Sequence, residues 1–161
     1  MRGTPLPTPQ QVRETLQMLL GREVEVETGA DMVNPQSEGG VVVGVFDAQP
    51  GHKLAALWVS DLPLSAYIGA ALVLIPARTA EESANVGLTD SISENLREAI
   101  NVAGSLLNCD GAPHVTLEGV YAPGEWLPAD VAQWVMAYVP REDLKVVIPG
   151  YGEGCLSIVV P

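Results

Sequence analysis

Positive charge is scarce in this chain: 8 Lys and Arg stand against 20 Asp and Glu in 161 residues, a net charge of −12. Such a chain repels phosphate backbones and anionic lipid surfaces, which excludes nucleic acid and membrane as partners. It suits a partner with a basic patch. Cysteine and histidine are equally sparse. Cys109 and Cys155 form no Cys-x-x-Cys spacing, and His52 and His114 stand far apart. No metal site is therefore expected. A disulfide between the two cysteines stays open, and neither has an assigned role. Long apolar runs are missing too. The longest, around Ala66 to Pro76, is interrupted and too short to span a bilayer, and Met1-Arg-Gly-Thr-Pro-Leu-Pro7 lacks the apolar run of a signal peptide. The expectation is a soluble, cytoplasmic protein. With 47% hydrophobic residues, 161 residues are enough for one domain, 1–161, with a core that needs no staples.

What is present is periodicity. Thr8-Pro9 reads as a helix cap followed by proline at the first helical position, Val12, Leu16, Leu19 and Leu20 give an apolar face, and Gly21 is a stop. Glu23 to Thr28 alternates as a half-buried strand, residues 29–39 read as a loop, and Gly40 to Phe46 is an apolar, central strand. Pro50-Gly51 turns the chain into a second strand, Lys53 to Ser60. Ser60 or Asp61 then caps a helix to about Leu74, ended by Pro76, and the small and acidic residues 77–90 read as a loop. Strands follow at His114–Tyr121, Val135–Val139, Leu144–Ile148 and Cys155–Val160, with a helical turn at Pro128–Gln133. The glycine-rich Gly150-Tyr-Gly-Glu-Gly154 joins strand to strand, so it is a hairpin turn and not a nucleotide loop. Helices and antiparallel strands come in blocks, which predicts an α+β fold: an antiparallel β-sheet with long helices packed on it. Of the three tryptophans, Trp126 is the most exposed, with core anchoring favoured for Trp58, Trp126 and Trp134 alike.

The most informative stretch is Ser91 to Asn108. At a helical period, Ile92, Leu96, Ala99, Ile100, Ala103, Leu106 and Leu107 form one apolar stripe. Glu94, Glu98, Asn101, Ser105 and Asn108 form a polar line on the reverse. Ser91 with Glu94 three residues on fits a capping box, and Asn108 and Gly111 close the helix. Glu98 and Asn101 are neighbours on the polar line. Asn and Gly are poor helix residues, costing about 0.7 and 1 kcal/mol relative to Ala. Keeping Asn101 and Gly104 here suggests a solvent side put to use.

The order of helix, strand hairpin, helix pair and antiparallel strands, with Glu98-Ala-Ile-Asn101 followed by Gly104, resembles the CheX branch of the CheC/CheX/FliY chemotaxis phosphatase family over nearly the whole chain. The resemblance implies a homodimer that docks a phosphorylated CheY-like response regulator. There the Asn would orient the water that attacks the phosphoaspartate, and the Glu would pair with the regulator's active-site lysine. That makes Asn101 and Glu98 the catalytic candidates, with Glu94 and Ser105 as partner-binding candidates. The protein would need no cofactor of its own, the Mg²⁺ being carried by the regulator. Two departures from the family pattern stand out. Glu94 occupies a position where the family often has Asp or Ser, and Pro123 lies about a residue from the family's downstream proline. Glu14-Thr-Leu-Gln17 on the first helix is a candidate for a second, CheC-like site. Two alternatives to the enzyme are a non-catalytic receiver-binding module and a structural part of a flagellar or signalling assembly.

Overall fold

The computed structural model describes residues 3–161. Its centre is a six-stranded sheet of β1 (Glu25–Thr28), β2 (Val41–Ala48), β3 (Lys53–Asp61), β4 (Val115–Tyr121), β5 (Arg141–Ile148) and β6 (Gly152–Val159). The strand order is β1-β5-β6-β3-β2-β4, and every neighbouring pair is antiparallel. Five helices complete the α+β fold: α1 (Pro9–Leu20), α2 (Leu62–Ala71), α3 (Ala77–Val86), α4 (Asp90–Ala103) and α5 (Ala129–Val135).

The near-continuous apolar run of β2 has its cause in the sheet order. The strand lies inside the sheet, and Val41 through Asp47 are all buried. Val42, Phe46, Ala56 and Trp58 face one way and pack with Leu16 of α1, Leu64 and Ile68 of α2, and Leu96 and Ile100 of α4. Val41, Val43, Val45, Leu57 and Val59 face the other way, against Val33 of the long β1–β2 loop and Val131 and Val135 of α5. The buried Trp58 indole donates to Ser60 Oγ at 2.9 Å, so its polar handle is satisfied. Trp126 is 90% exposed and anchors no core.

Four local readings change. Residues 77–86 are helical because Ala and Glu are strong helix formers, and Ala80, Ser83 and Ala84 give a small-residue buried face. The long helix starts earlier than Ser91: Thr89 is the cap, its Oγ1 accepting from Ile92 N at 3.2 Å. No Ser91–Glu94 capping box forms, so Glu94 has no capping role. Val135–Val139 is not a strand. Pro128 opens α5, whose Val131 and Val135 are one turn apart and buried, and Arg141 Nη1 donates to the carbonyls of Val135 and Ala137, both at 3.0 Å. Those carbonyls are thereby spent on the turn into β5. Finally, α4 tightens into a 3-10 turn over residues 104–107. Asn108 leaves the polar line there: its Oδ1 accepts from Val115 N at 2.8 Å, and its Nδ2 donates to the carbonyls of Gly104 and Val115. Gly104 is likewise buried, against Phe46, so packing explains it.

Candidate functional site

Helix α4 is held by its inward stripe. Ile92, Leu96, Ala99, Ile100 and Ala103 are each at most 5% exposed. Burying each larger aliphatic side chain contributes about 1.5–3 kcal/mol, so the helix cannot rotate about its axis without losing most of that. The opposite face is therefore fixed in direction. Glu94, Glu98, Asn101 and Ser105 are all exposed along it, at the spacing the sequence implies.

Three of those four line an open hollow of about 240 Å³, together with Arg97 and Leu117 of β4. Ser105 lies farther along, in the 3-10 turn, and is not part of its wall. A second, apolar hollow of about 190 Å³ adjoins the first through Glu94 and Arg97, and is walled by Val42, Leu88, Leu96, Val120 and Ala122. Among the described residues, the side chains of Glu94, Arg97, Glu98 and Asn101 make no hydrogen bond and no ion pair. A carboxylate, a carboxamide and a guanidinium are thus left to engage another molecule beside an apolar footing. Two like charges four apart, Glu94 and Glu98, cost a few tenths of a kcal/mol, roughly the value of one helical ion pair. Arg97 stands next to both on the helix surface. Its place between Glu94 and Asn101 was the only sequence signal for it, and Leu117 had none, since it arrives from another strand.

The second candidate pair is engaged in structure. Gln17 Oε1 accepts from Val24 N at 3.2 Å, tying α1 to the start of β1, and Glu14 Oε1 accepts from Gln10 Nε2 at 3.0 Å. Gln17 is thereby withdrawn from placing a water. The cysteines are free thiols, both half-buried, and burial with the nearby Asp61 carboxylate pushes the Cys155 thiol up. Spacing between the two histidines says nothing about carboxylates, and the fold gathers Asp47, His52 and Glu118 with ligand atoms within 4.8 Å of one another on the α5 side of the sheet. No helix among the described residues is long and apolar enough to cross a membrane.

No family model matches the chain, and no curated protein matches it significantly. Solved structures do. A chain in the FliM–SpeE complex from H. pylori superposes with a TM-score of 0.65 at 11% identity, over 95% of this chain and 81% of that one. CheX from Vibrio vulnificus superposes with a TM-score of 0.52 at 12% identity over 93% of each chain. FliY from Thermotoga maritima gives a TM-score of 0.52 at 19% identity, over 92% of this chain and 81% of that one. The chain has the CheC/CheX/FliY fold. The architecture read from the order of elements is thus the observed one. At these identities the likeness extends to the CheC/CheX/FliY backbone and leaves the roles of individual side chains to the chemistry of α4.

Proposed function

We propose that this protein is a CheX-like phosphatase that hydrolyses the phosphoaspartate of a CheY-like response regulator. Acyl-phosphate hydrolysis needs a water in line with the phosphorus, opposite the leaving carboxylate, and positioning with electrostatics supplies most of the catalysis. The regulator holds the phosphoryl group, its Mg²⁺ and a lysine. The missing part is a neutral group that both accepts from and donates to a water. Asn101 offers a carboxamide of that kind, which adds no negative charge beside the phosphoryl oxygens. Glu98 anchors the partner lysine by a charge-assisted hydrogen bond. Glu94 and Ser105 extend the contact along the same face, and the apolar hollow beside Glu94 receives a partner side chain. The reading rests on one observation above others. Glu98 and Asn101 are exposed side by side on a helix whose rotation the core prevents.

A second reading has its own support. The same fold superposes on a chain in a FliM–SpeE complex, a protein assembly, so a non-catalytic docking module is the alternative. One experiment separates them. A receiver domain charged with a small phosphodonor and Mg²⁺ is mixed with the protein, and both binding and phosphate release are followed. The enzyme accelerates release in a manner that depends on Asn101. The module binds and leaves the phosphate lifetime unchanged. A homodimer belongs to the same proposal and is measured by light scattering.

A further inference from the structure

We propose that Asp47, His52 and Glu118 form a binding site for a divalent transition metal, with Zn²⁺ as its occupant, on the face of the sheet away from α4. Each of the three offers one ligand atom, and these atoms all lie within 4.8 Å of one another. The site stands apart from the phosphatase reading and does not depend on it.

The sequence builds this cluster through three separate devices. Along β2, alternation puts Asp47 on the same side as Val43 and Val45, towards α5. In β4, Gly119 pairs with Val45 and Leu117 with Phe46, which leaves Glu118 as the extra residue of a bulge. A bulge re-aims a side chain, and here it brings Glu118 to the Asp47 face. In the β2–β3 turn, Gly51 (φ 97°) and His52 (φ 51°) are both left-handed, which turns the imidazole back over the strand ends.

The second, independent observation is Asp47 itself. Its side chain belongs to a residue only 7% exposed, and among the described residues it accepts no hydrogen bond. Its oxygens keep an opening towards His52 and Glu118, where partial desolvation and a second carboxylate both disfavour its charge. A cation between the two removes both costs at once. His52 Nδ1 lies 3.3 Å from Gln49 Nε2, and when it accepts from that amide its lone pair is the one a metal ion would take. The same Nδ1 lies 3.8 Å from Glu118 Oε2, so the imidazole and that carboxylate already face each other. On ligation, Gln49 gives up His52 and keeps Thr116 Oγ1, 3.1 Å from its Nε2.

One imidazole nitrogen with two carboxylate oxygens suits Zn²⁺, whereas an all-oxygen set would suit Mg²⁺ or Ca²⁺. Three protein ligands leave a position for water. The ion would join the β2–β3 turn to edge strand β4, behind the residue, Leu117, that closes the α4 hollow from the other face.

The test is calorimetric titration of the chelator-stripped full chain with ZnCl₂ at pH 7, and with MgCl₂ in parallel. The variants are His52→Gly, Glu118→Gln and the pair Cys109→Ser/Cys155→Ser; glycine is used at 52 because it tolerates the left-handed backbone. We expect one Zn²⁺ per chain, at least about tenfold weaker binding in His52→Gly and in Glu118→Gln, and no change in the cysteine pair. The metal-free melting temperature of Glu118→Gln should match that of the parent, because residue 118 is exposed. Zn²⁺ binding that survives both ligand variants, loss of binding in the cysteine pair, absence of saturable binding, or equal affinity for Mg²⁺ would each overturn the assignment.

Discussion

Helix α2 passes α4 with Gly69 set directly on Ile92: a Cβ at residue 69 would run into the Ile92 carbonyl oxygen and would stand 2.7 Å from its Cγ2. The obstacle is main chain and cannot rotate aside. Gly69→Ala should therefore push α4 off its seat, at a cost of about 1–3 kcal/mol for overpacking, which exceeds the gain of up to about 1 kcal/mol from alanine in a helix. Gly104→Ala meets only the edge of the Phe46 ring, at 2.9 Å, and a ring can give. Urea unfolding of the two variants should rank Gly69→Ala as clearly the less stable. Equal midpoints would mean that α2 does not fix the seat of α4.

The start of α4 can be tested at two positions. Thr89 Oγ1 accepts the Ile92 amide, and Ser91 has no capping bond among the described residues. Thr89→Ala should cost about 1 kcal/mol, whereas Ser91→Ala should stay within a few tenths or rise slightly, since alanine is the better helix former. Thermal melts of both variants decide it, with the capping-box reading demanding the opposite order.

That pair of positions also indicates how much the sequence could say. Ser91 and Glu94 meet a capping pattern as well as any, yet Thr89 takes the cap, with Ile92 buried and Leu88 packed beside it. The strongly periodic segments were legible: the α4 stripe, the α1 face and the buried run of β2 all fold as their spacing implies. Helix α3 was not, because its inward residues, Ala80, Ser83 and Ala84, are too small to stand out as an apolar stripe. Val135, Ala137 and Val139 alternate like a strand, and the Arg141 guanidinium bonds that prevent one involve a side chain beyond that stretch. At the site, the exposure of Glu98 and Asn101 follows from helical period alone. Asp47 and His52 flank one hairpin turn, but Leu117 and Glu118 arrive from another strand, and spacing along the chain carries no trace of their placement.

Asp61 gives a prediction in pH. It caps α2, with Oδ1 accepting from Leu64 N and Oδ2 accepting from Cys155 N, both at 3.0 Å. Burial nonetheless dominates those two amides and holds its carboxyl above the ordinary 3.8. The folded state then binds more protons than the unfolded chain from about pH 3.8 up to the raised value, so this group's contribution to stability falls as pH rises through that window. Above it the contribution is flat. Asp61→Asn cannot titrate and loses one acceptor, so above that window it should be less stable by about 1 kcal/mol. The gap in melting temperature between parent and variant should be widest at the acid end and shrink as pH climbs. A gap that widens with pH would contradict burial as the dominant cause.

The catalytic proposal makes its sharpest statement at residue 101. Asn101 is exposed and holds no part of the core, so Asn101→Ala should fold normally and gain up to about 0.7 kcal/mol of helix stability. If its carboxamide places the attacking water, the same change should lower phosphate release by about 10²-fold, the scale seen when one preorganised polar contact to a reacting centre is removed. Asn101→Asp keeps the shape and adds a negative charge beside the phosphoryl oxygens. It should do no better than alanine, because a carboxylate there opposes the very charge the partner's Mg²⁺ and lysine stabilise. Glu98→Ala removes an anchor and not the water, so it should raise the half-saturating concentration of the phosphorylated regulator more than it lowers the rate at saturation. Single-turnover measurements over a range of regulator concentrations separate the two effects. A rate at saturation untouched by Asn101→Ala, with binding intact, would leave α4 as a docking face alone.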